Sequence, residues 1–168
     1  MKGWIAKCCQ PFFYLGASIQ MTDKEYMGLA LEEARTAFRK GEVPVGAIVV
    51  REGVILSRAH NLRETSRDSS AHAEILALRA AAWASDSWRL LNSTLYVTKE
   101  PCIMCAGALV NSRISRLVYG CKDDKAGGVD SLYHIPTDNR LNHQIEVVSG
   151  VLEAESVELL KSFFRERR

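Results

Sequence analysis

The sequence predicts an α/β fold in which one mixed sheet of about five strands lies between layers of helices. Segments with apolar residues at three- and four-residue spacing, typical of amphipathic helices, alternate with short apolar segments typical of buried strands. The first two strands are separated by only a short glycine-containing turn, which favours an antiparallel hairpin. Helices separate most of the later strands, so the expected sheet contains both parallel and antiparallel pairs.

The first helix is predicted to begin at Thr22, because Thr22 and Glu25 have the spacing of a capping box ahead of an apolar pattern. The helix is expected to end near Gly41, where a glycine interrupts the pattern. The residues expected to face the core lie at helical spacing: Tyr26, Leu29, Ala30, Ala34, Ala37 and Phe38.

A hairpin is predicted next. Residues 45–50 are almost wholly apolar, which is typical of a central strand covered on both faces. Glu52 and Gly53 form the turn, and residues 54–59 return as the second strand. Residues 62–70 are polar, and we expect them to form a loop.

The second half of the chain alternates helices with strands. Helices are predicted over 73–84, 102–111 and 154–165, and strands over 94–98, 117–120 and 145–149. Asp86 and Ser87 break the pattern after the first of these helices. In the last helix, Val157, Leu160 and Phe164 are expected to share the core-facing side.

Composition indicates one compact domain. The chain has 168 residues, of which 25% are charged and 47% are hydrophobic, which is enough for a sizeable core. Its net charge of +2 is too small to mark the whole surface as nucleic-acid binding, so any basic patch must be local. The sequence has no apolar run long enough to span a membrane.

Residues 1–20 are expected to be an extension outside the fold, with the single domain over 21–168. Lys2, Lys7 and the apolar run at 11–17 are compatible with a weak signal peptide. The run is short, however, and Gln20 is a poor residue for a cleavage site, so an upstream extension is the better interpretation.

Cysteine usage indicates a reducing compartment. The cysteines are Cys8, Cys9, Cys102, Cys105 and Cys121. If two of them bind metal, an odd number remains, which argues against a disulfide framework and for the cytoplasm. Cys121 follows an apolar strand and is expected to be a buried, unreactive thiol.

His72, Cys102 and Cys105 are the ligands expected of a zinc site with one position left open. The two cysteines are three residues apart, so on a helix they share a face, and Pro101 suits the first position of that helix. The helix dipole favours the thiolate that binds metal. His72 opens the helix over 73–84, so two adjacent helix starts would hold one ion.

Glu74 lies two residues from His72 and is free to move protons because it is not needed as a ligand. Two thiolates and a neutral imidazole cancel the charge of Zn²⁺. The ion would therefore lower the pKa of its bound water less than in a site of three neutral histidines, and a nearby carboxylate base becomes more important. The alternatives are a redox Cys-x-x-Cys pair and a closed structural site, which would need a fourth ligand. His134 and His143 have no motif and are expected to be surface or structural residues.

His-Ala-Glu upstream of Pro-Cys-x-x-Cys resembles the signature of the zinc-dependent nucleoside and nucleobase deaminases. Within that superfamily, the chain most closely resembles the bacterial tRNA-specific adenosine deaminases over residues 21–168. The matching segments are residues 42–47 (EVPVGA), 72–75 (HAEI), 94–98 (TLYVT), 100–107 (EPCIMCAG) and 162–165 (SFFR).

The resemblance implies a three-layer deaminase fold and hydrolytic deamination of adenosine to inosine at the wobble position of tRNA anticodons. Zinc, one ion per subunit, would activate the water, and Glu74 would act as the proton shuttle. The resemblance also implies a cytoplasmic homodimer, with no membrane association, that binds the anticodon stem-loop of tRNA.

Three further residues are expected to bind the substrate. Asn61 can read a purine edge through one donor and one acceptor, although taken alone it is more typical of a turn, and the resemblance reverses that preference. The backbone of Ala73 would help to hold the base. Asp123 lies in a charged, glycine-rich loop that is either a solvated turn or, as the resemblance implies, a contact to the nucleotide and its ribose.

Two other functions stay open at this point. A small-molecule deaminase acting on cytosine, guanine or a nucleotide would share every metal and proton-transfer residue. An inactive zinc module that binds RNA or a partner chain is the second, but it would not need Glu74. Asn61, the Asp123 loop and the basic end of the last helix (Arg165, Arg167 and Arg168) favour tRNA, although basic residues also complement a helix dipole.

Overall fold

A computed structural model of the chain describes residues 21–167. Its helices are α1 (Asp23–Arg39), α2 (Arg63–Ser66), α3 (Ala73–Ala84), α4 (Ile103–Asn111) and α5 (Glu153–Arg165), with a 3₁₀ turn at Ile135–Thr137. The strands are β1 (Gly46–Arg51), β2 (Val54–His60), β3 (Ser93–Lys99), β4 (Arg116–Cys121) and β5 (Glu146–Val148). None of the helices within the described residues is both long and apolar enough to cross a membrane.

The strands form one mixed sheet in the order β2-β1-β3-β4-β5, which confirms the predicted architecture. β1 is antiparallel to both of its neighbours, whereas β3, β4 and β5 run parallel. The hairpin turn is the predicted one: Glu52 and Gly53 both have positive φ, at 50° and 80°, as a two-residue turn with right-handed strand twist requires.

The sheet separates two apolar layers, and β1 supplies both of them because its side chains alternate between faces. Ala47 and Val49 pack with α3 and α4 in the larger cluster, whereas Ile48 and Val50 pack with α1 in the smaller one. α5 lies on the α1 side, where Phe163 meets Phe38 edge to face with ring centroids 5.6 Å apart. The three-layer prediction is therefore confirmed.

The face of α1 differs in detail from the predicted one. Met27 and Leu31 are fully or almost fully buried, at 0% and 3% exposure, whereas Leu29 and Phe38 are only partly buried. At 3.6 residues per turn, Met27 and Leu31 lie on the same side of α1 as the buried Ala30 and Ala34, whereas Leu29 lies well away from that side, so the predicted face was placed wrongly. The layer that packs against the helix decides which of them are covered.

The core-facing side of α5 was predicted wrongly. Phe163 is 3% exposed and Phe164 is 50% exposed, the reverse of the expectation. The reason is a close approach between α5 and β4, where a Cβ at Gly120 would collide with Oγ of Ser156. Because the side chain of Ser156 is short, α5 packs closely against the sheet on the side that carries Ser156. Phe163 lies on the same side of the helix and is therefore buried.

The polar segment 62–70 was predicted as a loop but contains the single helical turn α2. The turn has no capping side chain at its own N-terminus. Instead, the buried carboxylate of Glu42 accepts the backbone N–H groups of Glu64 (3.1 Å) and Thr65 (2.6 Å). A tertiary contact therefore supplies the cap, which a local pattern cannot reveal.

Residues 1–20 lie outside the described residues, and we expect their removal to leave the melting temperature nearly unchanged. The first helix is capped by its own residues, because Glu25 N donates to Thr22 Oγ1 (3.3 Å) and Thr22 N donates to Glu25 Oε2 (2.7 Å). Thermal unfolding of the full chain and of residues 21–168 measures this. A large loss of soluble protein on truncation would contradict it.

Candidate metal centre and active site

The two halves of the site are two helix N-termini, as predicted. His72 is the N-cap of α3 and Cys102 is the N-cap of α4, both with extended backbone, and Cys105 lies in the first turn of α4. Pro101 precedes the N-cap and is not the first helical residue, so that detail was wrong. Its carbonyl instead accepts the N–H of Gly128 at 2.8 Å, which ties the start of α4 to a later loop.

His72, Cys102 and Cys105 converge to a geometry that fits zinc. The three possible ligand atoms lie within 4.8 Å of one another. Nδ1 of His72 is 3.6 Å from Sγ of Cys102 and 3.5 Å from Sγ of Cys105. A nitrogen and a sulfur bound to one tetrahedral zinc ion are about 3.6 Å apart, given the usual bond lengths. The chemistry and the spacing of the donors therefore both suit this metal.

The pKa values of the two thiols are shifted in opposite directions. Hydrogen bonds from Cys105 and His72 stabilise the Cys102 thiolate and lower the pKa of Cys102 to about 4. The same interaction with Cys102, together with burial, raises the pKa of Cys105. The hydrogen bond with Cys102 also raises the pKa of His72. A divalent cation would make both thiolates favourable, so metal binding releases protons here.

Glu74 is the buried carboxylate of the site, at 4% exposure. It lies in the first turn of α3, and burial raises its pKa. Among the described residues, the group that could hold a metal consists of His72, Cys102 and Cys105 and does not include Glu74. A carboxylate that is buried beside a metal site without joining it has the position expected of a general base.

One cavity brings together most of the predicted site residues. Its walls include Asn61, His72, Glu74, Cys102 and Asp123. Asn61 directly follows β2 and is 4% exposed, and its N–H donates to the carbonyl of Val45 at 3.0 Å.

Two predicted residues do not line the cavity with their side chains. Cys105 is fully buried behind Cys102. The side chain of Ala73 is also fully buried, so Ala73 can offer a ligand only its backbone. Its N–H is the first of α3 and has no acceptor within the helix.

Comparison with known proteins agrees with this geometry. Residues 21–168 match the sequence profile of the MafB19-like deaminases. The chain belongs to this deaminase family. It is 53% identical to the tRNA-specific adenosine deaminase of Bacillus subtilis (strain 168) over 146 residues, covering 87% of this chain and 91% of the relative.

Solved structures of the deaminase family share the fold. One comes from a study of A-to-I editing by tRNA:A34 deaminases at the wobble position of transfer RNA, with 43% identity, a TM-score of 0.78, and coverage of 81% of this chain and 99% of that one. A guanine deaminase from Nitrosomonas europaea is 25% identical, with a TM-score of 0.76 and 97% coverage of both chains. The protein is therefore a deaminase.

Sequence reasoning missed the role of Glu100, which organises the loop after β4. This glutamate is 3% exposed. Its carboxylate accepts a hydroxyl and four backbone N–H groups, which come from Asp123 (2.9 Å), Val129 (3.2 Å), Asp130 (2.8 Å) and Ser131 (2.9 Å, with its hydroxyl also donating). Burial raises the pKa of Glu100, but these hydrogen bonds outweigh it and bring the value to about 2.

The Glu100 carboxylate also requires a glycine beside it, since a Cβ at Gly127 would collide with its oxygens. A carboxylate that accepts several backbone N–H groups produces no periodic pattern in the sequence. The available indications were indirect: a charged residue directly ahead of Pro101, and the glycines of the loop. The capping role of the buried Glu42 is not predictable from the sequence for the same reason.

We expect Glu100→Gln to lower the free energy of unfolding by roughly 2–4 kcal/mol, because the amide group faces backbone donors and leaves some of them unsatisfied in a buried site. Urea unfolding measures this change. Glu155→Gln is the matched control, since Glu155 is exposed on α5, and it should have little effect. Equal stabilities for the two variants would contradict the structural role of Glu100.

The other predicted polar residues lie away from the cavity. His143 Nε2 is 2.6 Å from the carbonyl of Ile114, and His134 Nδ1 is 3.2 Å from that of Val129, which supports structural roles for both histidines. Arg165 pairs with Glu158 on its own helix at 2.7 Å.

Arg167 donates to the carbonyl of Gly41 and covers the ring of Phe163 at 4.2 Å. The side chains of Arg165 and Arg167 thus both make contacts within the protein, whereas Arg168 lies outside the described residues. Contact of this helix end with RNA stays a prediction.

Proposed function

We propose that this deaminase converts adenosine to inosine by hydrolysis at the wobble position of tRNA anticodons. The observation that carries the proposal is one cavity that joins a His/Cys/Cys ligand set, a buried carboxylate and the amide of Asn61. The substrate class is supported by the relatives with 43–53% identity that act on tRNA adenosine. The balanced reaction exchanges the C6 amino group of adenine for oxygen and releases ammonia.

His72, Cys102 and Cys105 would hold zinc, one ion per chain. When bound, the ion would supply a Lewis acid that makes water nucleophilic at neutral pH. His72 would ligate through Nδ1, the ring nitrogen that faces both sulfur atoms. Because both cysteines lie at the N-terminus of α4, the dipole of this helix helps to keep their thiolates charged.

Glu74 would carry the protons. It would accept one from the attacking water as the C6–O bond forms, and deliver it to N1 of the ring. It would then take the proton of the new C6 hydroxyl and pass it to the C6 amine as the C–N bond breaks, so that the amine leaves as ammonia and a C6 carbonyl remains. Its burial holds the carboxylate away from bulk water, so the proton passes to the substrate and is not lost to solvent.

Asn61 and Ala73 would hold the base. The Asn61 amide offers one donor and one acceptor, and the free N–H of Ala73 adds a second donor. The anticodon loop suits such a cavity because its bases are unpaired and can be turned outward at little cost. Asp123, in the wall of the cavity, would contact the nucleotide outside the base.

A small purine is the main competing substrate. It has specific support, since the guanine deaminase from Nitrosomonas europaea shares the fold over almost its whole length. The higher identity of the tRNA-specific relatives favours RNA. An inactive zinc module is disfavoured, because Glu74 is buried, its pKa is raised by that burial, and it lies outside the ligand group. Burying a carboxylate destabilises the fold, so a buried carboxylate at this position indicates a catalytic role.

Ammonia release distinguishes these functions. Purified protein is incubated separately with a wobble-adenosine anticodon stem-loop, free adenosine, guanine and cytosine, with zinc content measured in parallel. We expect turnover of the stem-loop well above that of the free compounds. Faster release from guanine or cytosine would overturn the tRNA assignment, and zinc binding without any release would indicate a module that is not catalytic.

We also propose a cytoplasmic homodimer. Four exposed apolar side chains lie on the start of α4 and on the segment that packs against it: Ile103, Met104, Leu132 and Tyr133, at 39–50% exposure. A second copy of the chain would cover this surface beside the cavity. Light scattering that gives the mass of one 18.7 kDa chain would contradict the dimer.

A further inference from the structure

Glu42 has a buried carboxylate that takes no part in the proposed reaction. The residue is 0% exposed and does not line the cavity. Its Oε2 accepts the N–H of Glu64 at 3.1 Å, and its Oε1 accepts the N–H of Thr65 at 2.6 Å. Burial raises the pKa of Glu42, but these hydrogen bonds and the charge of Arg167 outweigh it, so the pKa is lowered and the carboxylate stays charged. A buried charge is costly unless its contacts have a purpose.

The backbone of Glu42 is anchored at the end of α1. Gly41 has a φ of 77°, the left-handed conformation that commonly follows the last residue of a helix. Gly41 N donates to the carbonyl of Phe38 at 2.9 Å, and Glu42 N donates to the carbonyl of Ala37 at 3.0 Å. This pair of hydrogen bonds is a Schellman motif, which ends α1 and fixes the direction of the residues that follow. The Glu42 side chain therefore extends from a rigid support.

The helical turn α2 depends on this support. It has only four residues, none of them is buried, and its N-cap Leu62 supplies no side-chain hydrogen bond. A single turn of helix is not stable on its own. Glu64 and Thr65 are the second and third residues of α2, whose N–H groups an N-cap side chain ordinarily accepts. Glu42 thus holds α2 in place from a separate part of the chain.

The two segments that Glu42 joins form one wall of the cavity, here called the substrate wall: Val43, Val45, Asn61 and Arg63. The two valines follow Glu42 in the chain, and Arg63 is the first residue of α2. Asn61 lies between the segments, where its N–H donates to the carbonyl of Val45 at 3.0 Å. The candidate metal ligands and the proposed base belong to the starts of α3 and α4 instead.

We propose that Glu42 is a positioning residue for substrate binding. Its carboxylate holds α2 against the end of α1, so that the substrate wall is formed before the substrate arrives. Glu42 touches neither the substrate nor the metal ligands and acts through the substrate wall. Without its carboxylate, α2 would leave this position part of the time, and the apparent affinity would fall with the docked fraction. This role does not depend on which base the enzyme deaminates.

The test compares the wild type with Glu42→Gln and Glu42→Ala. Glu64→Gln is the matched control, because it removes the same charge from an exposed side chain of α2. For each protein we measure kcat and KM on the wobble-adenosine stem-loop, zinc content and melting temperature. Hydrogen exchange, followed by mass spectrometry, compares residues 62–67 with β1 and β3. Glu42→Gln keeps the size of the side chain and serves if Glu42→Ala does not fold.

We expect Glu42→Gln to raise KM roughly 10-fold, since losing one hydrogen bond to a charged group changes the docked fraction by about that factor. Because the proposed base and the metal ligands keep their places, kcat and zinc content should stay nearly unchanged. Glu42→Ala should raise KM further, as it leaves both N–H groups without an acceptor. Residues 62–67 should exchange faster in both variants while β1 and β3 stay protected. Glu64→Gln should behave as the wild type.

A fall in kcat together with a loss of zinc would overturn the inference, since Glu42 would then support the metal centre. An unchanged KM, whatever the melting temperature, would reduce Glu42 to a role in stability. Equal rises of KM in Glu42→Gln and Glu64→Gln would trace the effect to the lost charge and also overturn the inference. If the wild type does not act on the stem-loop, the proposed function fails separately, and the same variants are compared on the free base that the enzyme deaminates.

Discussion

Glu74→Gln should keep the fold and the metal but lose turnover by roughly 10²- to 10⁴-fold, the range for a positioned acid–base group. Glutamine has nearly the same volume, so the packing around this 4% exposed side chain should survive. The variant cannot accept a proton from the attacking water or, later, from the C6 hydroxyl, so both proton transfers of the reaction are lost. Removing a buried carboxylate with a raised pKa should also leave stability equal or slightly higher.

Three measurements separate the role of Glu74 from other roles. Metal content is determined by elemental analysis, stability by thermal unfolding, and turnover by inosine formation. Glu155→Gln on the exposed face of α5 is the matched control and should behave as the wild type. If Glu74→Gln loses its zinc, Glu74 is a ligand and the proposed proton transfer is wrong.

Cys102→Ala should lower zinc content and thermal stability together, because metal binding and folding are linked. The remaining His72 and Cys105 provide only two ligands, which is too few for a stable zinc site. A drop in melting temperature of at least about 5 °C is expected for a chain of this size when several kcal/mol of binding energy are lost.

Cys121→Ala is the control for Cys102→Ala, since Cys121 is also buried, at 2% exposure, but lies outside the ligand group. A chelator adds a second comparison. It should lower the melting temperature of the wild type and of Cys121→Ala, and leave that of Cys102→Ala unchanged. Full zinc content in Cys102→Ala would remove this residue from the site.

The parts of the fold that depend on local chemistry could be predicted from the sequence. Thr22 and Glu25 mark the start of α1, Glu52 and Gly53 mark the hairpin, and the helix starts at His72 and Cys102 follow from short motifs. The metal ligands belong to this group, because zinc needs specific donors at a spacing that a helix start provides.

What could not be predicted depends on contacts between distant segments. Glu42 caps α2, and Glu100 gathers backbone N–H groups from a loop more than twenty residues away. Neither arrangement is periodic, so a sequence pattern does not reveal it. The choice between Phe163 and Phe164 has the same cause, since the close approach of Ser156 to Gly120 decides which ring is buried.

Position-resolved mass spectrometry of the product tests the proposed function most directly. The wild-type enzyme is incubated with a tRNA that carries adenosine at the wobble position and at other places in the anticodon loop. We expect inosine at the wobble position alone, and none with Glu74→Gln. Inosine spread over several adenosines, or no inosine while free guanine or cytosine is deaminated, would contradict a wobble-specific tRNA deaminase.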